Sequence, residues 1–268
     1  MKRITAALAF AVVVFGAFAV RGQQSIDPRV ADLVQSGKLR VALGLGSPAL
    51  AMKDPKTGEV RGPALDLAHT LAKKIGVTLE AVEYPRPGAI LAGVKNKEWD
   101  VTFLVADPAR SADADFSSPY MQSDFTFLVP ASSSKRSVAE LDQPGTRIAV
   151  PRGDASDLRL TQILKHAELM RLDSIGAAIE MVHAGTVDAY AAPRVVLVTL
   201  SDKAPGSRVL DDGFANIVWV AMVPKGKGGH IAYVNDFIEQ AKATGLVKQT
   251  IDQANLRGVQ VAPPGKVN

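Results

Sequence analysis

The chain has 268 residues, 47% of them hydrophobic and 22% charged, with a formal net charge of +4 and no cysteine. That apolar share excludes a disordered chain, and 22 glycines and 16 prolines are too few for a collagen-like or low-complexity one. The absence of cysteine excludes disulfides, thiolate nucleophiles, cysteine-bound zinc or iron–sulfur centres, and the acylated cysteine of a bacterial lipoprotein.

The length allows one or two domains of about 100–150 residues each. Lys2 and Arg3 open the chain positively, and residues 4–20 then carry no charge. Ala17-Phe18-Ala19 is a small-x-small pattern suited to signal peptidase, and polar Arg21-Gly22-Gln23-Gln24 follows. Residues 1–19 are therefore expected to be a cleaved secretory signal peptide. The rival is an uncleaved anchor helix, although a span typically needs about 20 apolar residues. Without residues 1–19 the chain keeps 29 basic and 27 acidic residues, a net charge of +2. No block of five or more Lys and Arg occurs, so nucleic acid is not an expected partner.

Residues 39–43 (LRVAL) read as a buried strand. Pro63 opens a helix where its missing N–H costs nothing. Ala64, Leu67, Ala68, Leu71 and Ile75 step along one face of it, and Gly76 supplies the cap. Residues 77–82 alternate as a second strand, 89–95 form a short helix, and 101–105 form a third strand. This βαβαβ pattern implies a parallel sheet flanked by helices. Residues 125–129 are another apolar run ended by Pro130, and the polar break Ser132-Ser133-Ser134-Lys135-Arg136 follows. The pattern then restarts. A strand is expected at 147–150, helices at 155–166 and 174–184, a strand at 187–191 and a helix at 194–201. Residues 217–223 are a long apolar strand stopped by Pro224. Helical patterns cover 231–243 and 246–256, and 259–268 is a Pro/Gly tail. Trp99-Asp100-Val101 and Val187-Asp188-Ala189 each follow a helix and open an apolar strand. That echo suggests two lobes of similar build, although both Asp residues are read more simply as turn or capping residues.

Trp99-Asp100-Val101, then Asp107-Pro108-Ala109-Arg110, then Phe116-Ser117-Ser118-Pro119-Tyr120 resembles the signature of the bacterial extracellular solute-binding proteins of family 3. These are periplasmic receptors of amino-acid-type ABC importers. Lys53-Asp54, Gly58-Glu59 and Gly62 resemble the family's stretch before its first helix. Val138-Ala139-Glu140-Leu141 with Arg147-Ile148-Ala149-Val150 resembles its entry into the second lobe. The resemblance spans about residues 37–245. It implies an α/β, two-lobe type II periplasmic-binding-protein (Venus flytrap) fold. Residues 25–128 and 219–268 would form a discontinuous lobe one, and residues 129–218 an inserted lobe two. The crossing hinge strands would be 125–130 and 217–224.

The resemblance also implies a site. Arg110 matches the arginine that holds the ligand carboxylate, a role that suits a planar, always charged fork of donors. Other positions depart from the family. Ser47 stands near the family's stacking aromatic. Phe103 and Val105 lie in the stretch that is usually a Ser/Thr-rich turn, and Asp107 replaces the Thr that begins the Arg motif. The family's Gly-Thr-Thr at a helix start, which binds carboxylate, is here Gly153-Asp154-Ala155. Asp154 reads more simply as the helix N-cap. The acidic residue that receives the ligand's ammonium is replaced by Pro193, followed by Arg194. Arg110, Arg152 and Arg194 therefore point toward an anion such as an organic acid, with Asp154 able to rescue an amine partner.

The first expectation is a binding protein in the periplasm. It would be a monomer with no cofactor or metal that captures a small carboxylate and hands it to an ABC transporter permease. The alternative is a dehydratase-like enzyme on the same fold, which would need a general acid in the cleft. Asp107 and Asp154 are the acids near it. His69, His166, His183 and His230 show no metal-ligand spacing.

Overall fold

The computed structural model describes residues 26–173, 175–202 and 205–265. The expected signal peptide at 1–19 lies outside the described residues. Twelve strands and seven α-helices are present among those residues. The strands are β1 (Lys38–Gly44), β2 (Met52–Lys53), β3 (Val60–Arg61), β4 (Thr78–Tyr84), β5 (Val101–Val105), β6 (Ala114–Pro130), β7 (Arg147–Pro151), β8 (Glu168–Leu172), β9 (Ala189–Pro193), β10 (Ser207–Val209), β11 (Ala215–Pro224) and β12 (Gln260–Val261). The helices are α1 (Ala31–Ser36), α2 (Pro63–Ile75), α3 (Ala155–Ile163), α4 (Ile175–His183), α5 (Arg194–Ser201), α6 (Gly228–Ala243) and α7 (Leu246–Gln253).

The main sheet runs β4-β1-β5-β11-β6-β9-β7-β8. Its two ends are parallel triplets, β4-β1-β5 and β9-β7-β8. Each centres on the first strand of its βαβ unit, as the chain-order pattern predicts. Between them β11 and β6 run antiparallel to their neighbours and join the triplets. These are the two Pro-terminated apolar strands. The apolar run at 125–129 is only the second half of β6, a strand of 17 residues. Its first half, through Ser117-Ser118-Pro119, carries too many polar residues to read as a strand alone. It is extended because β11 pairs with it from Ala114 to Phe125.

Helix α2 keeps its expected limits. Leu67 and Leu71 are fully buried, and Gly76 ends the helix at φ 87°, its N–H on the Ala72 carbonyl. Each buried leucine contributes about 1.5–3 kcal/mol. Several expectations change, among them the helix over 246–256, which stops at Gln253, and the strand at 187–191, which lies at Ala189–Pro193. The helix at 89–95 is a 3₁₀ turn, Pro87–Gly93. The helix expected over 155–166 stops at Ile163, and Glu168–Leu172 adds an edge strand to β7. The tail is not all coil, because β12 pairs with β6 at Met121 and Gln122.

Strand alternation sorts the core. Ile148, Val150, Ala189 and Ala191 face one cluster with Phe127, Val129 and Leu160. Ala149, Tyr190 and Ala192 face the other way into the larger cluster.

Candidate functional site

The sheet brings the carboxyl ends of its parallel strands together, which is where open α/β sheets hold ligands. Ser47 follows β1, Pro87 follows β4, Arg110 follows β5, Asp154 follows β7, and Pro193 ends β9. All five line one cavity.

Arg110 ends a 3₁₀ turn built by Pro108 at its start and by Asp107, whose carboxylate accepts the Ala109 N–H at 2.8 Å. The turn drives the guanidinium inward, and the residue is 2% exposed. Nη1 donates to the Val105 carbonyl at 2.9 Å and Nη2 to the Gly153 carbonyl at 3.4 Å. Nε is buried without a hydrogen-bond partner. Burial pulls the arginine's pKa down, opposed by the charges of Asp154 and Asp107. A buried cation with a donor unspent is costly unless something arrives to meet it.

Asp154 stands at the N-cap position of α3 but does not cap it. Its carboxylate instead accepts the Gly88 N–H at 2.5 Å, from the segment beyond β4. A Cβ at Gly88 would lie 2.6 Å from that oxygen and 2.7 Å from the Arg152 carbonyl oxygen. Only glycine permits this approach. Arg86 donates to the same Arg152 carbonyl. Segments 86–88 and 152–154 thus clasp over the cavity. Burial raises the Asp154 pKa to about 6, against the lowering pull of Arg110, the Gly88 N–H and Arg86.

The walls are aromatic and apolar. Phe125, Tyr190 and Trp219 line the cavity with Leu104, Val105, Ala155 and Val196. Register explains the grouping. Trp219 pairs with Val105, and Phe125 pairs with Pro193. The β11–β6 ladder slips between Trp219 and Val220, and such irregularities re-aim side chains beside sites. The space between these walls is about 40 Å³, room for about three waters.

Of the positions singled out from sequence, Ser47, Val105, Arg110, Asp154, Ala155 and Pro193 line the cavity, and Phe103, Arg152 and Arg194 do not. Phe103 sits short of the strand end, and its buried ring packs edge-on against Tyr120 at 5.9 Å. The Arg152 side chain turns outward to Asp173, with Nε 3.2 Å from Oδ1. Arg194 is held bidentately by Asp124, at 2.7 and 2.6 Å, and donates to the Leu210 carbonyl. Of the three arginines expected to face an anion, Arg110 alone lines the cavity, together with Asp154. The three rings were missed, because strand register cannot be read from Phe125, Tyr190 and Trp219 in isolation. None of the four histidines lines the cavity, and His230 is spent on Asp32 at 2.7 Å. No group of side chains able to hold a metal occurs among the described residues.

The model of the bacterial extracellular solute-binding proteins, family 3, matches residues 39–254. A glutamine-binding protein of Geobacillus stearothermophilus is 26% identical over 183 residues, 67% of this chain and 70% of that protein. The ABC transporter glutamine-binding protein GlnH of Bacillus subtilis (strain 168) is 20% identical over 246 residues, 88% of this chain and 90% of that protein. The crystal structure of the ancestral amino acid-binding protein AncCDT-1, a precursor of cyclohexadienyl dehydratase, superposes with a TM-score of 0.76 at 25% identity. It covers 84% of this chain and 98% of that one.

Proposed function

The chain belongs to the bacterial extracellular solute-binding proteins, family 3, and on that premise we propose that it captures a small carboxylate-bearing solute, an amino acid or an organic acid, and delivers it to an ABC importer. One observation carries the reading. Arg110 is buried against the cavity with Nε unpartnered and, among the described residues, no carboxylate in an ion pair with it. A ligand carboxylate supplies the missing acceptor and the missing negative charge together. In this reading residues 25–128 and 219–268 form lobe one and 129–218 form lobe two. They close as jaws about β6 and β11. With space for about three waters, the clasp must open for a solute to enter. The protein works as a periplasmic monomer released by cleavage at residue 19, not as a lipoprotein, and its partner is a permease.

The test is mass spectrometry of small molecules that co-purify with the exported protein, followed by thermal-shift measurements with amino acids and organic acids. A bound carboxylate that raises the melting temperature is the expected result. A panel with no effect and no co-purifying acid would overturn the reading. The enzyme alternative draws on Asp154, the single carboxyl lining the cavity among the described residues. Conversion of a bound solute to product, rather than stoichiometric retention, would favour it.

A further inference from the structure

The two joining strands have a second face. Phe125 of β6 and Trp219 of β11 line the cavity, whereas their neighbours Asp124 and Val218 line a groove of about 590 Å³ behind it. The start of α5 is divided in the same way, with Pro193 and Val196 on the cavity and Arg194 on the groove. The far wall of the groove is a segment near the C-terminal end. It follows α7, which packs on α2, and crosses behind β6. There β12 pairs with Gln122 and Met121, the Ser123 hydroxyl donates to the Gly258 carbonyl, and the Ala262 N–H donates to the Tyr120 carbonyl. The same segment grips α5. Gly258 sits at φ 75°, and a Cβ there would lie 3.1 Å from Cγ of Arg194 and 3.3 Å from its Cδ. The backbone at Gly258 therefore rests on the arginine's stem. Arg257 makes an ion pair with Asp202, the C-cap of α5.

We propose that residues 257–261 are a strap behind the hinge, which holds α5 in the clasped arrangement and so sets how readily the cavity opens. This rests on the reading that the two lobes turn about β6 and β11. The strap is fixed to lobe one through α7 and to the hinge through β12, and its grip on α5 is a grip on lobe two. Asp202 stands eight residues along α5 from Arg194, about 12 Å by the helical rise. A turn of about 15° about the hinge strands carries it about 3 Å, enough to part it from Arg257.

A contact made in one arrangement and lost in the other favours the first by its differential strength. The clasp of segments 86–88 on 152–154 and the strap thus hold the same arrangement from opposite sides of the hinge. The strap does so without lining the cavity. It shifts the balance between open and closed forms, and through that balance the apparent affinity for any solute. An exposed ion pair such as Arg257 with Asp202 shifts such a balance by up to about fivefold.

The experiment measures the opening directly, with no solute added. The chain has no cysteine, so Lys56→Cys and Gln162→Cys, both at exposed positions, place one spin label on each lobe. Pulsed dipolar spectroscopy then gives the populations at short and long separation, in the otherwise wild-type protein and in Gly88→Ala, whose clasp is parted. Arg257→Asp and Asp202→Arg are compared singly and together in both backgrounds. The two side chains are 56% and 58% exposed, so the exchanges leave the core intact. Each single reversal should raise the ratio of long to short separation about threefold or more, and the double reversal, which restores the pair, should bring it back. If Gly88→Ala shows a long separation but the reversals leave the ratio unmoved or lower it, the strap is overturned and the turning of the lobes stands. Single variants that open without rescue by the double also overturn it. One short separation in every variant would refute the turning of the lobes, and the strap with it.

Discussion

Arg110 holds its charge at 2% exposure, and that desolvation costs the protein stability. Exchanging buried ionic groups for well-packed apolar chains of similar volume is often neutral or stabilising by about 1–4 kcal/mol. Arg110→Met should therefore melt at or above the wild-type temperature without solute and show no solute-induced rise; Arg110→Ala should lose the rise as well. A thermal-shift titration checks both. An undiminished rise in either would remove Arg110 from the site. Asp154 gives a second prediction, whose sign follows from its raised pKa. Its carboxyl is held at about 6 when folded against an ordinary 3.8. The folded state thus binds the proton more tightly. The benefit is present below about pH 4 and is lost as pH rises through 6, by up to about 3 kcal/mol. Asp154→Asn lacks this penalty. Its stability relative to wild type should grow from pH 4 to pH 7.5 in urea unfolding, and a gap independent of pH would contradict the burial argument. Arg110 was legible only through the family resemblance of Asp107-Pro108-Ala109-Arg110 and the Phe116–Tyr120 motif after it. Asp154 was not legible as a clasp. An aspartate before a helix has the same local signature whether it caps that helix or crosses to another segment.

Two elements share one device. Asp100 and Asp188 each stand just before a strand, β5 and β9, and both reach across to the start of the adjacent strand, β1 and β7. Asp100 accepts the Arg40 N–H at 2.9 Å and donates its own N–H to the Arg40 carbonyl; Asp188 does the same with Arg147, accepting at 2.8 Å. The repeat in sequence is thus a repeat in structure, and the residues are strand clamps rather than caps or turns. Their surroundings differ. Asp100 also grips the Arg40 guanidinium at 2.6 Å with 15% of its side chain exposed, whereas Asp188 is 46% exposed with Arg147 at 3.6 Å. Asp100→Ala should cost about 2–3 kcal/mol and Asp188→Ala about 1 kcal/mol. Denaturant midpoints that reverse this order would sink the argument. The clasp yields a further test. Gly88→Ala places a Cβ 2.6 Å from Asp154, so segments 86–88 and 152–154 must part. Solution scattering should report a larger unliganded particle, and solute affinity should fall at least tenfold. Unchanged scattering and affinity would show the clasp to be dispensable. Among the elements, α2 was legible because Pro63, Gly76 and a regular apolar step agree. β8 was not, because Glu168-Leu169-Met170-Arg171-Leu172 gains its strand character from β7 beside it.

At the scale of the whole molecule, β6 is shared by everything. It pairs with β11, β9, β10 and β12, so each half of the sheet takes part of its edge from the same strand. The two-lobe plan was readable from the restart of the βαβ pattern. The shared strand was not, because its polar half is extended by partners about a hundred residues away in the chain. The site inherits this plan. No single stretch holds it, and its walls meet only when β5, β6, β9 and β11 are in register. One of those walls has a practical use. The chain has two tryptophans. Trp219 lines the cavity, whereas Trp99 is 1% exposed in the core, its indole N–H on the Ile90 carbonyl at 3.1 Å. Occupancy should therefore change the fluorescence of one indole while the other emits unaltered as an internal standard. Trp219→Phe should abolish the solute-dependent change in emission, and Trp99→Phe should keep it. The protein would then report its own saturation in unlabelled solution, a readout that depends on neither its stability nor its transport.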